Sequence, residues 1–297
     1  MSNLSLVVLS DHCHHALGEY FRSLELFDKV DSYQPEFLDP ATKNTVKDSL
    51  GNYDVIFTSY NKADDLSIEA LKGKHGSAVI PFAPLVFYGL QPDVGYVISK
   101  GEFLYNPALA GDYHYSVILE LMKRGLDVED VIHLLVRTAP GETIDVQATW
   151  DSAVSSYQDA EKDFDVKIAD FIASESRKSQ TFYNFNLPAG SVLGELGDRL
   201  VKHLGEKATP RLIPPAANDL VTRSYLPVPD YLAEALGFEY RTSQVVRGKV
   251  EGNSIDVSRE TAMRMSAKFF AEFCRSKKCS IMDLQPLTPL KFAPAMA

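Results

Sequence analysis

The chain has 297 residues, and 30 Lys and Arg against 40 Asp and Glu give it a formal net charge of −10. Hydrophobic residues make up 45% of it, an ordinary globular composition, and a chain of this length can bury a sizeable core. A pI near 5.2 excludes a protein built to coat nucleic acid, because such binding needs clustered Lys and Arg. A local basic pocket for a phosphorylated small molecule stays compatible with this acidic average.

Neither a membrane span nor a secretion signal is predicted. The most apolar stretch, Ala78 to Leu90, contains two prolines and is shorter than the roughly 20 apolar residues that a span needs. The N-terminus lacks the basic start and cleavage site of a signal peptide. Three cysteines are too few and too oddly numbered for a disulfide framework. We expect a reduced cytoplasmic protein.

Three short apolar runs predict parallel strands: Leu4 to Leu9, Tyr53 to Ser59 and Ser77 to Phe82. Each run ends in a polar or proline-containing segment. After the first strand a helical period takes over and reaches Phe27. Because the carboxyl ends of parallel strands meet at one edge of a sheet, we expect a ligand-binding edge there.

The rest of the chain is predicted to be mostly helical. The predicted helices are His114 to Arg124, one capped by Asp127, Trp150 to about Ser174–Lys178, one from Pro188, Tyr231 to Leu236, and Ser258 to Cys274. A turn is predicted at Pro140–Gly141, a strand over Ser179 to Phe185, and an irregular segment from Ala208 to Pro229. The predicted fold class is α/β, with a parallel-type central sheet, helices on both faces, a helix-rich middle and an appended C-terminal region. We expect one α/β domain over residues 1–240 and a helical extension over 241–297, packed on the same domain.

Cys13 is the strongest candidate for a catalytic residue. It lies in a strand-to-helix turn, with His12, His14 and His15 within two residues. A helix N-terminus and neighbouring histidines would both lower a thiol pKa and favour the nucleophilic thiolate. The alternative is a small core residue, since free cysteines are among the most buried types. His14, or His114 from another element, could serve as the general base.

A zinc site is the weaker interpretation of the same cluster. Zinc needs three or four ligands on a tetrahedron, and the adjacent residues His12, Cys13, His14 and His15 rarely converge on one ion. No metal is therefore predicted.

A second strand-to-helix junction carries Asn184, Asn186 and the predicted helix start at Pro188. Backbone donors at a helix N-terminus bind phosphates or an oxyanion readily. Arg177 and Lys178 could add positive charge there, although for those two residues alone a solvated helix end is the favoured interpretation. The sequence has no P-loop, no G-x-G-x-x-G after the first strand and no G-x-S-x-G elbow.

The order of short motifs resembles the WcbI-type capsular polysaccharide biosynthesis proteins of bacteria. The motifs that carry this resemblance are Leu9-Ser10-Asp11-His12-Cys13, Ile80-Pro81-Phe82, Gly89-Leu90-Gln91-Pro92-Asp93, the helical pair around Gly125, Trp150 to Ile172, Thr181 to Pro188, Tyr225 to Pro229 and Leu236-Gly237-Phe238. They cover roughly residues 4 to 240. The family usually has Gly-Asn-Cys-Gln at the first turn and a histidine at the place of Leu187, so the neighbours of the cysteine differ here.

The resemblance implies binding of coenzyme A or acetyl-coenzyme A and acetyl transfer to a sugar, with Cys13 beside the thioester. The strand ends would then form the coenzyme A pocket. Its expected residues are Ser10, Asp11, His12, Ser59, Tyr60, Asn61, Lys62, Arg177, Lys178, Asn184 and Asn186. The expected partners are an acyl donor and a carbohydrate acceptor, and a homo-oligomer stays open. A cysteine-dependent hydrolase at the same edge and a non-enzymatic binding protein of a polysaccharide pathway are the alternatives.

Overall fold

The computed structural model describes residues 4–11, 13–24, 26–105, 112–137, 144–206, 225–250 and 253–287. The chain divides into two compact units. One comprises Met1–Val86, Ser156–Ser174 and Asn186–Asp219, and the other comprises Phe87–Ser155, Glu175–Phe185 and Leu220–Ala297. The predicted turn at Pro140–Gly141 and most of the predicted irregular segment lie outside the described residues.

The first unit is built on a four-stranded parallel sheet, so the predicted α/β class is confirmed. Its strands are β1 (Leu4–Leu9), β2 (Phe27–Tyr33), β3 (Val55–Thr58) and β4 (Val79–Pro81). They lie in the order β2-β1-β3-β4, and all three neighbouring pairs are parallel. The three predicted strands therefore form, and β2 joins them at the edge.

Helices cover both faces of this sheet. They are α1 (His14–Arg22), α2 (Pro40–Ser49), α3 (Ile68–His75) and, from later in the chain, α8 (Gly190–His203). On one face Val7 and Ile56 belong to a buried cluster that includes Val46 of α2 and Leu71 of α3. On the other face the ring of Phe57 lies 5.1 Å from that of Phe21 on α1. Ile56 and Phe57 pack on different faces because successive side chains of a strand point to opposite sides of the sheet.

The strand order places a topological switch point between β1 and β3. From β1 the chain first moves to one side, to β2, and then returns to the other side, to β3 and β4. The strand ends are level there: the amide of Ser10 donates to the carbonyl of Tyr33 at 3.1 Å, and that of Ser59 donates to the carbonyl of Leu9 at 3.0 Å. Open α/β sheets bind their ligands in the crevice at such a point.

Two helix predictions are wrong in their extent. The first helix ends at Arg22, and Phe27 begins β2 instead. The long helix predicted from Trp150 is two helices, α6 (Val146–Glu161) and α7 (Ala169–Glu175). The break follows from the buried carboxylate of Glu161, which accepts hydrogen bonds from the amides of Ile168 and Ala169 and so caps α7. A carboxylate at a helix N-terminus satisfies donors that the helix itself leaves free.

The second unit contains an antiparallel sheet and a long helix. The sheet has β5 (Gly95–Ser99) paired with β6 (Glu102–Phe103), β7 (Tyr113–His114) and β12 (Leu284–Leu287). Its core includes Val97, Leu119, Phe270 and Leu284. The remaining helices and strands of the described chain are α4 (Ser116–Lys123), α5 (Val128–Ile132), a π-helical turn (His133–Arg137), β8 (Phe182–Asn184), β9 (Leu187–Pro188), α9 (Asp230–Ala235), β10 (Val245–Val250), β11 (Asn253–Ser258) and α10 (Arg259–Lys277).

Short 3-10 turns connect several of these elements. They lie at Pro35–Phe37, Leu50–Asn52, Gly76–Ala78, Tyr88–Leu90 and Ile281–Asp283. The hairpin of β10 and β11 leads directly into α10, whose N-cap is Ser258, as the sequence predicted. Among the described residues, no helix has both the length and the hydropathy that crossing a bilayer requires.

Candidate active site

Cys13 lies in the first unit, immediately before α1 and four residues beyond the end of β1. It is the N-cap residue of α1, and its carbonyl accepts the first helical hydrogen bond from the amide of Leu17 at 2.9 Å. Only 4% of Cys13 is exposed. The strand-to-helix turn predicted from the sequence therefore forms, and it holds the thiol in the interior.

The thiol faces a small cavity at the switch point of the sheet. The cavity has a volume of about 60 Å³ and is lined by Ser10, Asp11, Cys13, Ser59, Pro84, Leu85, Val86, Asn186 and Pro188. Five of these residues, namely Ser10, Asp11, Cys13, Ser59 and Asn186, are predicted site residues. The structure thus brings together side chains from the ends of β1 and β3 and from the segment that precedes α8.

A short chain of hydroxyl groups ends on the sulfur of Cys13. The Oγ of Ser59 donates to the Oγ of Ser10 over 2.8 Å, and Ser10 Oγ lies 3.2 Å from Cys13 Sγ. Because the hydroxyl of Ser59 donates its proton to Ser10, the hydroxyl of Ser10 can donate its own proton to the sulfur. All three side chains are buried. A hydroxyl that donates to sulfur favours the thiolate.

The pKa of Cys13 nevertheless moves in the direction opposite to the expected one. Burial raises the pKa of its thiol to about 12, and the hydrogen bond from Ser10 opposes this rise without cancelling it. The nearby carboxylate of Asp11 raises the pKa further, since it repels a thiolate. The expectation of a lowered pKa is therefore wrong, because desolvation outweighs the N-terminus of α1.

Tyr157 is a further residue that interacts electrostatically with the thiol, although its spacing in the sequence predicts only an apolar helix face. It is buried, and its pKa is raised by burial and by the neighbouring Glu161 and Cys13. An aromatic at helical spacing predicts core packing and gives no hint of a position beside a cysteine. Only the packing of α6 residues in the first unit reveals it.

The other site residues predicted in the segment after β3 are Tyr60, Asn61 and Lys62. The hydroxyl of Tyr60 donates to Asp64 at 2.6 Å, and Lys62 forms an exposed ion pair with Glu36. Asn61 is exposed. None of these three lines the cavity around Cys13. Ser59 is the residue of this segment that does.

His14 is half-buried at the first position of α1, beside the cysteine in the chain. His12 lies outside the described residues. Among the described residues of this unit, the candidates to accept a proton from the thiol are His14, its neighbour in the chain, and the carboxylate of Asp11, which shares the cavity.

His114 belongs to the second unit and is packed as a core residue there. Its side chain is fully buried, Nε2 lies 2.8 Å from the carbonyl oxygen of Leu104, and the ring lies 5.2 Å from that of Phe270. Burial lowers its pKa to about 4. Since Nε2 must carry the proton to donate to a carbonyl, these contacts give His114 a structural role in the core of its own unit.

Three further predicted binding residues also lie in the second unit. Arg177 is exposed, donates to the carbonyl of Leu236 at 2.8 Å and lies over the ring of Trp150. Lys178 is exposed beside Glu175. Asn184 is buried in β8. For Arg177 and Lys178 the structure favours the solvated interpretation over an anion site.

The described residues include no group of three or more His, Cys, Asp or Glu side chains arranged to hold a metal ion.

Fold and site together define an α/β protein with a parallel sheet and a buried cysteine at its switch point. A sequence profile of the polysaccharide biosynthesis enzyme WcbI matches residues 25–209. The chain belongs to the WcbI family of polysaccharide biosynthesis enzymes. Ser10 and Cys13 precede the matched segment.

The fold agrees with a solved structure of WcbI, a native form without a disulfide bond between coenzyme A and a cysteine of that protein. The similarity has a TM-score of 0.66 and covers 95% of this chain and 92% of that one. Sequence identity is 14%, so this comparison establishes a shared fold. No curated protein matches the chain.

Proposed function

We propose that this protein transfers an acyl group, acetyl in the simplest case, from a coenzyme A thioester to a carbohydrate hydroxyl, with Cys13 beside the thioester. The observation that carries the proposal is the cavity in which Cys13, Ser10, Ser59 and Asn186 meet at the switch point of the sheet. One support is that the chain belongs to the WcbI family. Another is the solved WcbI, which is the form without a disulfide bond between coenzyme A and a cysteine of that protein. We place the reaction in the bacterial cytoplasm, in the assembly of a capsular polysaccharide.

The size of the cavity limits what it can hold. A volume of about 60 Å³ admits a group of a few atoms, such as an acetyl group, and is far too small for a nucleotide. Its apolar wall (Pro84, Leu85 and Val86) suits a methyl group, and its polar wall suits a carbonyl oxygen. The lining therefore fits the thioester end of acetyl-coenzyme A.

Coenzyme A would supply an activated acyl group as its thioester. The side-chain amide of Asn186 would orient that group, because an amide donor can stabilise an oxygen on which negative charge develops, while Ser59 and Ser10 would hold the sulfur of Cys13 in place through their hydrogen bonds. These donors lie on strand ends and on the segment before a helix. Such rigid supports keep their geometry during the reaction.

Cys13 is a neutral thiol at rest. A pKa of about 12 leaves roughly one thiol in 10⁵ ionised at pH 7. As a nucleophile it would pass its proton to Asp11 or His14 as the bond to the acyl carbon forms, and the C–S bond to coenzyme A would break, with that proton going to the departing coenzyme A sulfur. The sugar hydroxyl would then take the acyl group and return its own proton to the sulfur of Cys13. As a neighbour of the thioester it needs no such transfer. Of the two roles, the nucleophilic one requires sulfur at this position.

Isothermal titration with coenzyme A and acetyl-coenzyme A tests the proposal, with Cys13→Ala in parallel. We expect micromolar binding to the wild type and an altered affinity in the variant. Cys13→Ser should also lose most of the turnover with a sugar acceptor. Full turnover by Cys13→Ser with every sugar acceptor tried would refute the role of sulfur.

The same experiments separate the alternatives. Acetate released from acetyl-coenzyme A without any sugar would identify a hydrolase that uses water as acceptor. A folded wild-type protein that binds neither ligand would leave a non-enzymatic role in a polysaccharide pathway.

A further inference from the structure

The second unit contains a larger cavity that the proposed reaction does not use. Its volume is about 430 Å³. The lining comes from the π-helical turn, from α9 and from the start of α10, and it comprises Leu135, Val136, Asp230, Tyr231, Glu234, Gln244, Ser258, Arg259 and Glu260. This volume is enough for one or two sugar rings.

Arg259 forms the floor of this cavity and is held in place from behind. Its guanidinium pairs with the carboxylate of Asp93, which is 2% exposed, and lies 5.9 Å and 5.5 Å from the ring centres of Tyr115 and Tyr231. The arginine side chain itself is 11% exposed. A guanidinium fixed on three sides presents its remaining donors in one orientation.

The arginine has more donors than the protein uses. A guanidinium has five N–H groups. Of these, the structure shows one donated to Asp93, and Nε has no hydrogen-bond partner among the described residues. The hydroxyl of Tyr231 is buried without a partner in the same part of the chain. Buried donors without acceptors cost free energy, so this floor is suited to a ligand that brings acceptors.

The walls of the cavity supply acceptors. Asp230, Glu234 and Glu260 line the cavity together with Arg259. Glu260 is paired with Arg264 and Arg259 with Asp93, which leaves the carboxylates of Asp230 and Glu234 in excess. Those of Asp230 and Glu260 lie in the first turns of α9 and α10, where they offset the positive helix ends. This excess of negative charge disfavours an anion. An uncharged ligand with neighbouring donors and acceptors can donate hydrogen bonds to the carboxylates of the walls and accept them from Arg259.

Sugar hydroxyls have this character, since each can donate to a carboxylate and accept from an arginine. Leu135 and Val136 add an apolar side against which the C–H face of a sugar ring can pack. We therefore propose that this cavity, between α9, the start of α10 and the π-helical turn, is a carbohydrate-binding site. The site goes beyond the proposed reaction, because it needs neither Cys13 nor an acyl donor.

Saturation-transfer NMR with D-glucose, D-galactose and D-mannose as probes tests this site on the full chain. We expect transfer to at least one of the three hexoses. Glu234→Gln removes one wall charge and Gln244→Ala removes a lining amide, and each should weaken the binding at least fivefold. Glu272→Gln, at the exposed far end of α10, is the matched control and should bind as the wild type does.

Three outcomes would overturn the proposal: no transfer to any of the three hexoses, transfer that both cavity variants leave unchanged, or binding of spermidine in place of the hexoses. The Cys13→Ala variant separates this test from that of the proposed reaction. We expect it to bind the hexose normally, whatever it does with coenzyme A.

Discussion

The hydroxyl of Ser59 donates a 2.8 Å hydrogen bond to that of Ser10, and this contact joins the ends of the two central strands of the sheet. Both residues follow a strand directly, one after β1 and one after β3. Ser10 in turn lies 3.2 Å from the sulfur of Cys13. The order of the strands thereby brings two hydroxyl groups into a hydrogen-bonded chain that ends on the thiol of Cys13.

Replacing Ser10 by alanine should make Cys13 less reactive. The hydroxyl of Ser10 lowers the pKa of Cys13 against the larger effect of burial, so its loss shifts the thiol further toward the protonated form. We expect Cys13 in Ser10→Ala to react several-fold more slowly with iodoacetamide at pH 9, measured by peptide mass spectrometry. Ser49→Ala, whose hydroxyl bonds to the carbonyl of Val46, is the control. An unchanged or faster rate would show that Ser10 does not act on the sulfur.

Cys13 and Cys279 should differ in how fast a thiol reagent modifies them. Cys13 is buried with a pKa of about 12, whereas Cys279 is half-exposed. At pH 8 we expect iodoacetamide to modify Cys279 fully while Cys13 stays intact in the native protein. Because the thiolate is the reactive form, the rate at Cys13 should rise about tenfold per pH unit from pH 8 to 10. A rate that levels off near pH 8 would contradict the raised pKa.

The buried His114 should make the protein less stable in acid. Its pKa is lowered to about 4 in the folded state from 6.5, so the unfolded chain binds a proton that the folded chain refuses. Below pH 6.5 the free energy of unfolding should therefore fall, by about 3 kcal/mol on reaching pH 4. Glutamine at this position can keep the hydrogen bond to the carbonyl of Leu104 and does not titrate.

Urea unfolding of the wild type and His114→Gln at pH 7 and pH 5 measures this effect. The variant should lose less stability than the wild type between the two pH values. Its affinity for coenzyme A should equal that of the wild type, since we assign His114 no role in the reaction. A selective loss of turnover in a fully folded variant would restore His114 as a catalytic candidate.

The ion pair of Arg259 and Asp93 should matter far more than a surface pair in the same unit. Asp93→Asn leaves a buried guanidinium without its counter-charge, which costs about 3–5 kcal/mol in comparable cases. The matched control is Asp256→Asn on the hairpin, where Arg247 and Asp256 are 40% and 49% exposed. That change should cost far less, because solvent screens an exposed pair. Equal losses in urea unfolding for the two variants would show that burial of the Arg259 pair has no energetic consequence.

The sequence predicted the local elements from which the site is built. Leu4 to Leu9 is a strand because a run of β-branched and aliphatic residues has no helical period, and a polar turn must follow where the strand leaves the core. The same pattern identified β3 and β4, and the parallel class followed from strands that alternate with helices. Ser10, Asp11, Ser59 and Asn186 were predicted for the site because they follow or flank strand ends, and the structure places all four around Cys13.

Other features depend on contacts between residues far apart in the chain. Phe27 lies at a spacing that suits a helix, yet pairing with Leu4 of β1 draws it into β2. Glu161 looks like a solvated residue of a long helix until its carboxylate caps the next one.

The protonation state of Cys13 also depends both on features visible in the sequence and on contacts between residues far apart in the chain. Neighbouring histidines and the helix end are visible in the sequence, and both favour a thiolate. The amount of water around the sulfur is set by tertiary packing, which leaves only 4% of Cys13 exposed. Charge buried in a protein interior loses its hydration, and this loss exceeds the gain from a helix end or a single hydroxyl. The sequence by itself therefore determined where the thiol lies, and only the tertiary structure decided that it carries its proton.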